Sequence, residues 1–178
     1  GFGGEVGAPL VEHPDVPHIG FTGGEIAGQK IYEAAARGLK TVTLELGGKS
    51  PNIVFDDADL DQAVKGAVSG IFAATGQSCQ AGSRLLLQES IHDEFVQRAA
   101  ALTREYILGN PLDHATTLGP MVRTSAAGFV RQQIAEAVSM GAVTHIDAHQ
   151  FPADKVGTPY LAPQLLTSVD HRMRLMTE

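Results

Sequence analysis

The chain has one cysteine, no tryptophan and only 6% aromatic residues among its 178. A lone cysteine excludes an internal disulfide framework and fits a reducing compartment, so the cytoplasm is the expected location. Cations are in the minority, with 13 Lys and Arg against 20 Asp and Glu, and the formal net charge is −7. Such a balance lacks the electrostatic footprint of a nucleic-acid binder, and no nucleic-acid partner is expected. No apolar run reaches the roughly 18 residues of a membrane span, so no membrane partner is expected. Of seven histidines, His145 and His149 are four apart, but Val143-Thr144-His145-Ile146 reads as strand and no HExxH pattern accompanies them. No metal site is expected. The chain opens on Gly1 instead of Met and stops at Glu178 just after an apolar run. Both ends read as cut, so targeting segments would lie outside it.

What is present is an ordinary globular composition, 43% hydrophobic and 19% charged, enough for one large domain or parts of two. The pattern alternates strand and helix. Residues 1–7 open a short helix that should stop near His13-Pro14, because proline disfavours helix at the residue before it. Residues 18–22 read as a short buried strand, Gly23-Gly24 as a turn, and 25–37 as a helix with Gly38 as its left-handed stop. Strands follow at 41–46 and 52–55. Asp56, Asp57 and Asp59 crowd the start of a helix reaching about residue 74, where acidic side chains face the partial positive charge of the helix N-terminus. A strand at 84–88 precedes a helix to about 106, with Ser90 and Asp93 resembling a capping pair. A helix at 124–140, a strand at 143–146, a loop or hairpin at 148–160 and a last strand at 161–166 complete the series. Alternation of this kind predicts an α/β protein with a parallel sheet.

Two residues stand out chemically. Glu45 lies at the C-terminal end of a hydrophobic strand, where open α/β sheets gather their ligands. Cys79 lies in Gly76-Gln77-Ser78-Cys79-Gln80-Ala81-Gly82, a poor setting for a core residue. A thiol and a carboxylate, each in a glycine-rich turn, are the parts of covalent thiol chemistry with a general base. The blander alternatives are an exposed strand-end carboxylate and a small buried cysteine. Phe21-Thr22-Gly23-Gly24 ends a strand at a helix N-terminus and offers backbone N–H groups to a phosphate; an ordinary βα turn is equally open. Gly1-x-Gly3-x-x-x-Gly7 approximates a dinucleotide turn with one residue too many, and a glycine-rich helix entry serves as well.

Taken together, Phe21-Thr22-Gly23-Gly24, Leu44-Glu45-Leu46-Gly47-Gly48-Lys49-Ser50-Pro51, Asp56-Asp57-Ala58-Asp59-Leu60-Asp61 and Gly76-Gln77-Ser78-Cys79 with Ala81-Gly82-Ser83-Arg84 resemble the aldehyde dehydrogenase superfamily in order and spacing. Gly109-Asn110-Pro111 and Gly119-Pro120 match its later landmarks. The resemblance covers the whole chain. It implies the end of a Rossmann-type cofactor domain at residues 1–46 and part of a second α/β, thiol-bearing catalytic domain at 47–178. It implies NAD- or NADP-dependent oxidation of a small-molecule aldehyde to an acid, with Cys79 as nucleophile, Glu45 activating the water that hydrolyses the thioester, and the Cys79 N–H helping to hold the oxyanion. Gly3, Thr22, Gly23, Gly24, Leu46 and Gly47 would touch the cofactor, Gly23 and Gly24 at the pyrophosphate and Leu46 near the nicotinamide.

Gly24 stands where many members have serine. The family's earlier strands, its oxyanion asparagine, its ribose-binding Glu-x-Phe-Gly-Pro segment and its oligomerisation strands are not in the chain. The 178 residues are therefore expected to be a central piece, inactive and poorly folded alone, of an enzyme that forms a homodimer or homotetramer. Ser78 and Gln80 beside the nucleophile, with Ala73 and Ala74 before it, suggest a small or polar aldehyde. Rival readings are a CoA-acylating member, a cofactor-independent thiol hydrolase or acyltransferase, and a non-catalytic binding fragment.

Overall fold

A computed structural model describes residues 1–178. They form two compact units, Gly1–Gly48 and Lys49–Glu178. The division falls two residues beyond the expected 46/47 boundary, after the glycine pair.

In the first unit, one π-helical turn, Gly3–Gly7, runs into α1 (Ala8–Glu12). Pro9 sits in the first turn of α1, where a missing N–H costs no helical hydrogen bond. α1 stops at His13, extended at ψ 129° ahead of Pro14, as the steric demand of proline on its predecessor requires. β1 (His18–Thr22), α2 (Glu25–Arg37) and β2 (Thr41–Glu45) then form a parallel strand–helix–strand motif. Its register runs from His18 opposite Thr41 to Thr22 opposite Glu45. The small core is Val11, Ile19 and Ala35, with Val16, Ile31, Ala34 and Val42 around it. Lys40 reaches back to donate to the carbonyls of Val11 and His13, at 2.7 and 2.6 Å. Gly38 is not the left-handed stop: its φ is −98°, and Leu39 takes φ 52° instead. The Lys40 N–H closes back on the Ala35 carbonyl, and that helix-ending bond places the left-handed residue at 39.

The second unit repeats the motif with β3 (Pro51–Val54), α3 (Leu60–Phe72) and β4 (Arg84–Leu87), parallel from Pro51 opposite Arg84 to Val54 opposite Leu87. Asp59 caps α3, its Oδ1 accepting from the Gln62 N–H at 3.1 Å, so the acidic run serves the helix start as expected. α4 (His92–Thr103) packs on α3, and Val54, Val64, Ala67, Val68, Ile91, Phe95 and Ala99 form the main core. α5 (Thr124–Ser139), β5 (Val143–Thr144) and β6 (Leu166–Thr167) complete the unit.

Three expectations change here. β5 and β6 pair antiparallel, so the strands are not all parallel. The strand expected at 161–166 is confined to its end: Ala162 N–H is taken by the Asp154 carboxylate, and Pro163 has no N–H to give to a ladder. Ser90 and Asp93 form no capping pair. Ser90 lies in a 3₁₀ turn, Glu89–Ile91, and its hydroxyl donates to Asp56 at 3.3 Å. No helix is long and apolar enough to cross a membrane.

Candidate active site

In the first unit, the C-terminal ends of β1 and β2 bring Thr22, Gly23, Gly24, Glu45 and Leu46 together. Thr22 is the register partner of Glu45. The Gly23 N–H donates to the Glu45 carbonyl at 3.0 Å, tying the turn after β1 to the end of β2. The Glu45 residue is exposed. Gly24 is the N-cap of α2 in extended conformation, with no side chain bonded to the helix's first amides. A Cβ placed at Gly24 would meet nothing within 4 Å. Thirteen residues of helix thus present their N–H end and partial positive charge through an open glycine turn, a setting that suits a phosphate.

Gly28, one turn into α2, is a residue the sequence reading missed. A Cβ there would lie 2.5 Å from Leu46 Cδ2, so any side chain at 28 would push the Leu46 side chain aside. A glycine inside a helical pattern is the signal that could have found it. Gly47 is exposed just beyond β2, and Gly3 lies inside the π-helical turn. Gly3 therefore belongs to a glycine-rich helix entry. It borders an apolar cleft of about 800 Å³ with Val11, Val16, Ile19, Phe21 and Ile31, a cleft that includes none of Thr22, Gly24, Glu45 or Leu46.

In the second unit, Cys79 lies on the loop between α3 and β4, exposed and unpaired. After α3 the backbone passes through three successive left-handed residues, Ala74, Thr75 and Gly76, at φ 50°, 58° and 72°. Left-handed geometry costs an L-residue roughly 1–2 kcal/mol, so the surroundings must hold it. They do so through side chains. Thr75 Oγ1 donates to the Gly119 carbonyl at 3.4 Å, and Gln77 Oε1 accepts from the Val122 N–H at 2.9 Å. Gln77 Nε2 donates to the Ala74 carbonyl at 3.2 Å. From the other side, the Ser50 hydroxyl donates to the Cys79 carbonyl at 3.2 Å.

Arg84, at the start of β4, donates from Nε to the Lys49 carbonyl at 2.8 Å. Burial holds the Lys49 ammonium below its usual range, neighbouring Arg84 adds to the depression, and Glu178 partly opposes it. No cluster of three or more His, Cys, Asp or Glu side chains that could hold a metal occurs. Ser50, Thr75 and Gln77 were not singled out for these roles by sequence. Their partners lie 29, 44 and 45 residues away, and no local pattern marks such a contact.

Comparison with known proteins gives a consistent result. The model of the aldehyde dehydrogenase family matches residues 1–178. A betaine aldehyde dehydrogenase of Rhizobium johnstonii is 42% identical over 175 residues, covering 98% of this chain and 36% of its own length. A chloroplastic aminoaldehyde dehydrogenase of Arabidopsis thaliana is 40% identical over 178 residues, covering 100% of this chain and 35% of its own. Among solved structures, an aldehyde dehydrogenase from Bacillus cereus superposes with a TM-score of 0.92 at 34% identity, over 100% of this chain and 36% of that one. A betaine aldehyde dehydrogenase from Staphylococcus aureus in complex with NAD+ gives 0.86 at 36% identity, over 99% and 35%. The chain thus spans about a third of the length of these relatives.

Proposed function

This chain belongs to the aldehyde dehydrogenase family, and on that premise we propose that it supplies the nucleophile, the base and part of the cofactor turn of an enzyme oxidising an aldehyde to a carboxylic acid with NAD or NADP. The observation that carries the reading is the exposed Cys79 thiol on a loop fixed from several sides, in a chain that also ends a parallel strand with a free-standing carboxylate, Glu45. The open glycine turn Gly23-Gly24 and the first amides of α2 would hold the pyrophosphate, with Thr22, Leu46 and Gly47 nearby and Gly3 as a more distant contact.

The Cys79 thiolate attacks the aldehyde carbon. A carbon–sulfur bond forms and the carbonyl electrons become an oxyanion, which the Cys79 backbone N–H helps to hold. A nicotinamide cofactor held at the Gly23-Gly24 turn would supply the acceptor for the hydride that leaves this carbon, and the carbonyl re-forms as a thioester on Cys79. Glu45 takes a proton from water, the water oxygen attacks the thioester carbon, and the carbon–sulfur bond breaks to release the acid and restore the thiolate. Residues 1–46 are the cofactor side and 47–178 the thiol side of this division of labour. A small or polar aldehyde suits Ser78 and Gln80 beside the nucleophile, and relatives named for betaine aldehyde and aminoaldehydes point the same way. On the same proposal the full-length enzyme is a cytoplasmic homodimer or homotetramer with no nucleic-acid or membrane partner.

In the full-length enzyme, Cys79→Ala should abolish aldehyde-dependent NAD(P)H formation. Glu45→Gln should give a burst of NAD(P)H followed by a slow steady state, because the base acts after hydride loss. Unchanged turnover in either variant overturns the assignment. A requirement for CoA in product formation would move the protein to the CoA-acylating reading, and ester cleavage without NAD(P) to the thiol-hydrolase one.

A further inference from the structure

We propose that Ser50 and Ser78 are positioning residues whose hydroxyls clamp the Cys79–Gln80 peptide plane from both ends and so fix the direction of the Cys79 thiol. The inference rests on the reading of Cys79 as the nucleophile and adds to it how that nucleophile is aimed. The Ser50 hydroxyl donates to the carbonyl of this plane at 3.2 Å, and the Ser78 hydroxyl accepts from its N–H, on Gln80, at 3.3 Å. One peptide unit is therefore held at its acceptor end by one serine and at its donor end by the other. That fixes the backbone torsion following the Cys79 Cα.

Among residues 1–178 the thiol is exposed, so within this stretch the backbone is what aims it. A buried side chain is aimed by its packing neighbours, whereas an exposed one has few and takes its direction from the backbone. Ser50 is a rigid base for the clamp. The Arg84 N–H donates to the Ser50 carbonyl at 3.2 Å, extending the β3–β4 ladder by one rung below Pro51. Ser78 is held in turn by the Ala81 N–H, which donates to its carbonyl at 3.1 Å. The Asn52 side chain packs closely beyond the turn: a Cβ at Gly82 would lie 3.1 Å from Asn52 Cβ. A nucleophile displaced by about 1 Å can lose up to roughly a hundredfold in rate. Removing one of two clamping hydroxyls should therefore cost about tenfold.

The test is made in the full-length enzyme with Ser50→Ala, Ser50→Thr and Ser78→Ala, using a short aldehyde with NAD and NADP. Thermal midpoints are recorded alongside. The rate of iodoacetamide alkylation of Cys79 is followed against pH by mass spectrometry of its peptide. The small alkylating agent reports whether the thiolate forms and is reachable, and it makes little demand on direction. Ser50→Ala should lower kcat at least threefold, with the KM for cofactor, the alkylation profile and the thermal midpoint unchanged, and Ser50→Thr should restore kcat. Loss below threefold, no rescue by threonine, or a parallel fall in alkylation rate or thermal midpoint overturns the proposal. If Ser50→Ala does not fold, Ser78→Ala is judged by the same thresholds. Failure of the clamp leaves wild-type turnover and its loss in Cys79→Ala intact. Failure of the underlying reading shows instead as wild type without aldehyde-dependent NAD(P)H, which removes the clamp's purpose with it.

Discussion

Two strand–helix–strand motifs sit in one chain, and they bury themselves differently. In β1–α2–β2, Ile19 is the only buried strand residue, and α2 buries only Gly28 and Ala35 while leaving Ile26 75% exposed. In β3–α3–β4, a second helix, α4, packs on the first, and Val64, Ala67, Val68, Phe95, Val96, Ala99 and Ala100 go inside. Parallel strands ordinarily read as covered on both faces. β1 and β2 alternate between exposed and more protected positions instead. Among residues 1–178, which span about a third of the relatives' length, the same backbone plan thus carries unequal apolar cores. Within these residues the second unit encloses the larger core, while the first is joined by strand pairing and by the Lys40 ammonium across two carbonyls.

The largest effect should come from the second unit's core. Phe95 is fully buried, and Phe95→Ala is expected to cost about 3–5 kcal/mol in chemical denaturation, because a transfer loss and a cavity add. A cost below half of that would mean the second core is no firmer than the first. Next comes Arg131, which bonds the Asp154 carboxylate and the Tyr160 carbonyl. Arg131→Ala leaves a mostly buried carboxylate short of its cation, and about 2–3 kcal/mol should be lost; a smaller loss on Asp154→Asn than on Arg131→Ala would locate the penalty in the stranded charge.

Ile19→Ala tests the first unit. The change should fall near the low end of the usual range, about 2 kcal/mol, since a three-residue core can close over the gap. A loss as large as that of Phe95→Ala would erase the contrast. Leu39→Gly should stabilise the first unit by up to about 1 kcal/mol, because it releases the left-handed strain at a side chain 93% exposed. A fall in melting temperature would show that Leu39 has a partner worth more than the strain.

The smallest effect is a pH dependence. The Lys49 ammonium is held below its usual range, so the unfolded chain binds a proton more readily than the folded one. Stability should then rise with pH through the window between the lowered value and the ordinary lysine value. Lys49→Met should flatten that alkaline rise; an unchanged slope would assign it to another group.

Sequence revealed what local chemistry controls. The β-branched run at Thr41, Val42 and Thr43 became β2, the His18 run became β1, and Asp59 capped α3, because each of these is decided within a few residues. The candidate nucleophile and base were nominated on the same local grounds, a cysteine among glycines and a glutamate closing a strand; the first lies exposed on a loop and the second ends β2. Prediction failed at one local point, the left-handed stop at Leu39 instead of Gly38, and otherwise where a partner outside the element intervened. Ser90 gave its hydroxyl to Asp56, 34 residues earlier, and so did not cap a helix. Leu161 to Leu165 carried the right apolarity for a strand, but Asp154 had already claimed the Ala162 N–H. The fixing of the Cys79 loop by Ser50, Thr75 and Gln77 belongs to the same kind: polar side chains reaching across the fold leave no periodicity to read.

Cys79 is both exposed and the only thiol among these 178 residues, and that has a redox consequence. An exposed thiol that meets peroxide gives a sulfenic acid as its first product. A protein with a neighbouring thiol rescues itself at that stage by closing a disulfide. Nothing in residues 1–178 can do so. Within residues 1–178, such an oxidation either finds a thiol from outside this stretch to cap it or goes on to the sulfinic acid, which is not ordinarily reversed. Reversal of that first step therefore depends on a thiol that these residues do not carry.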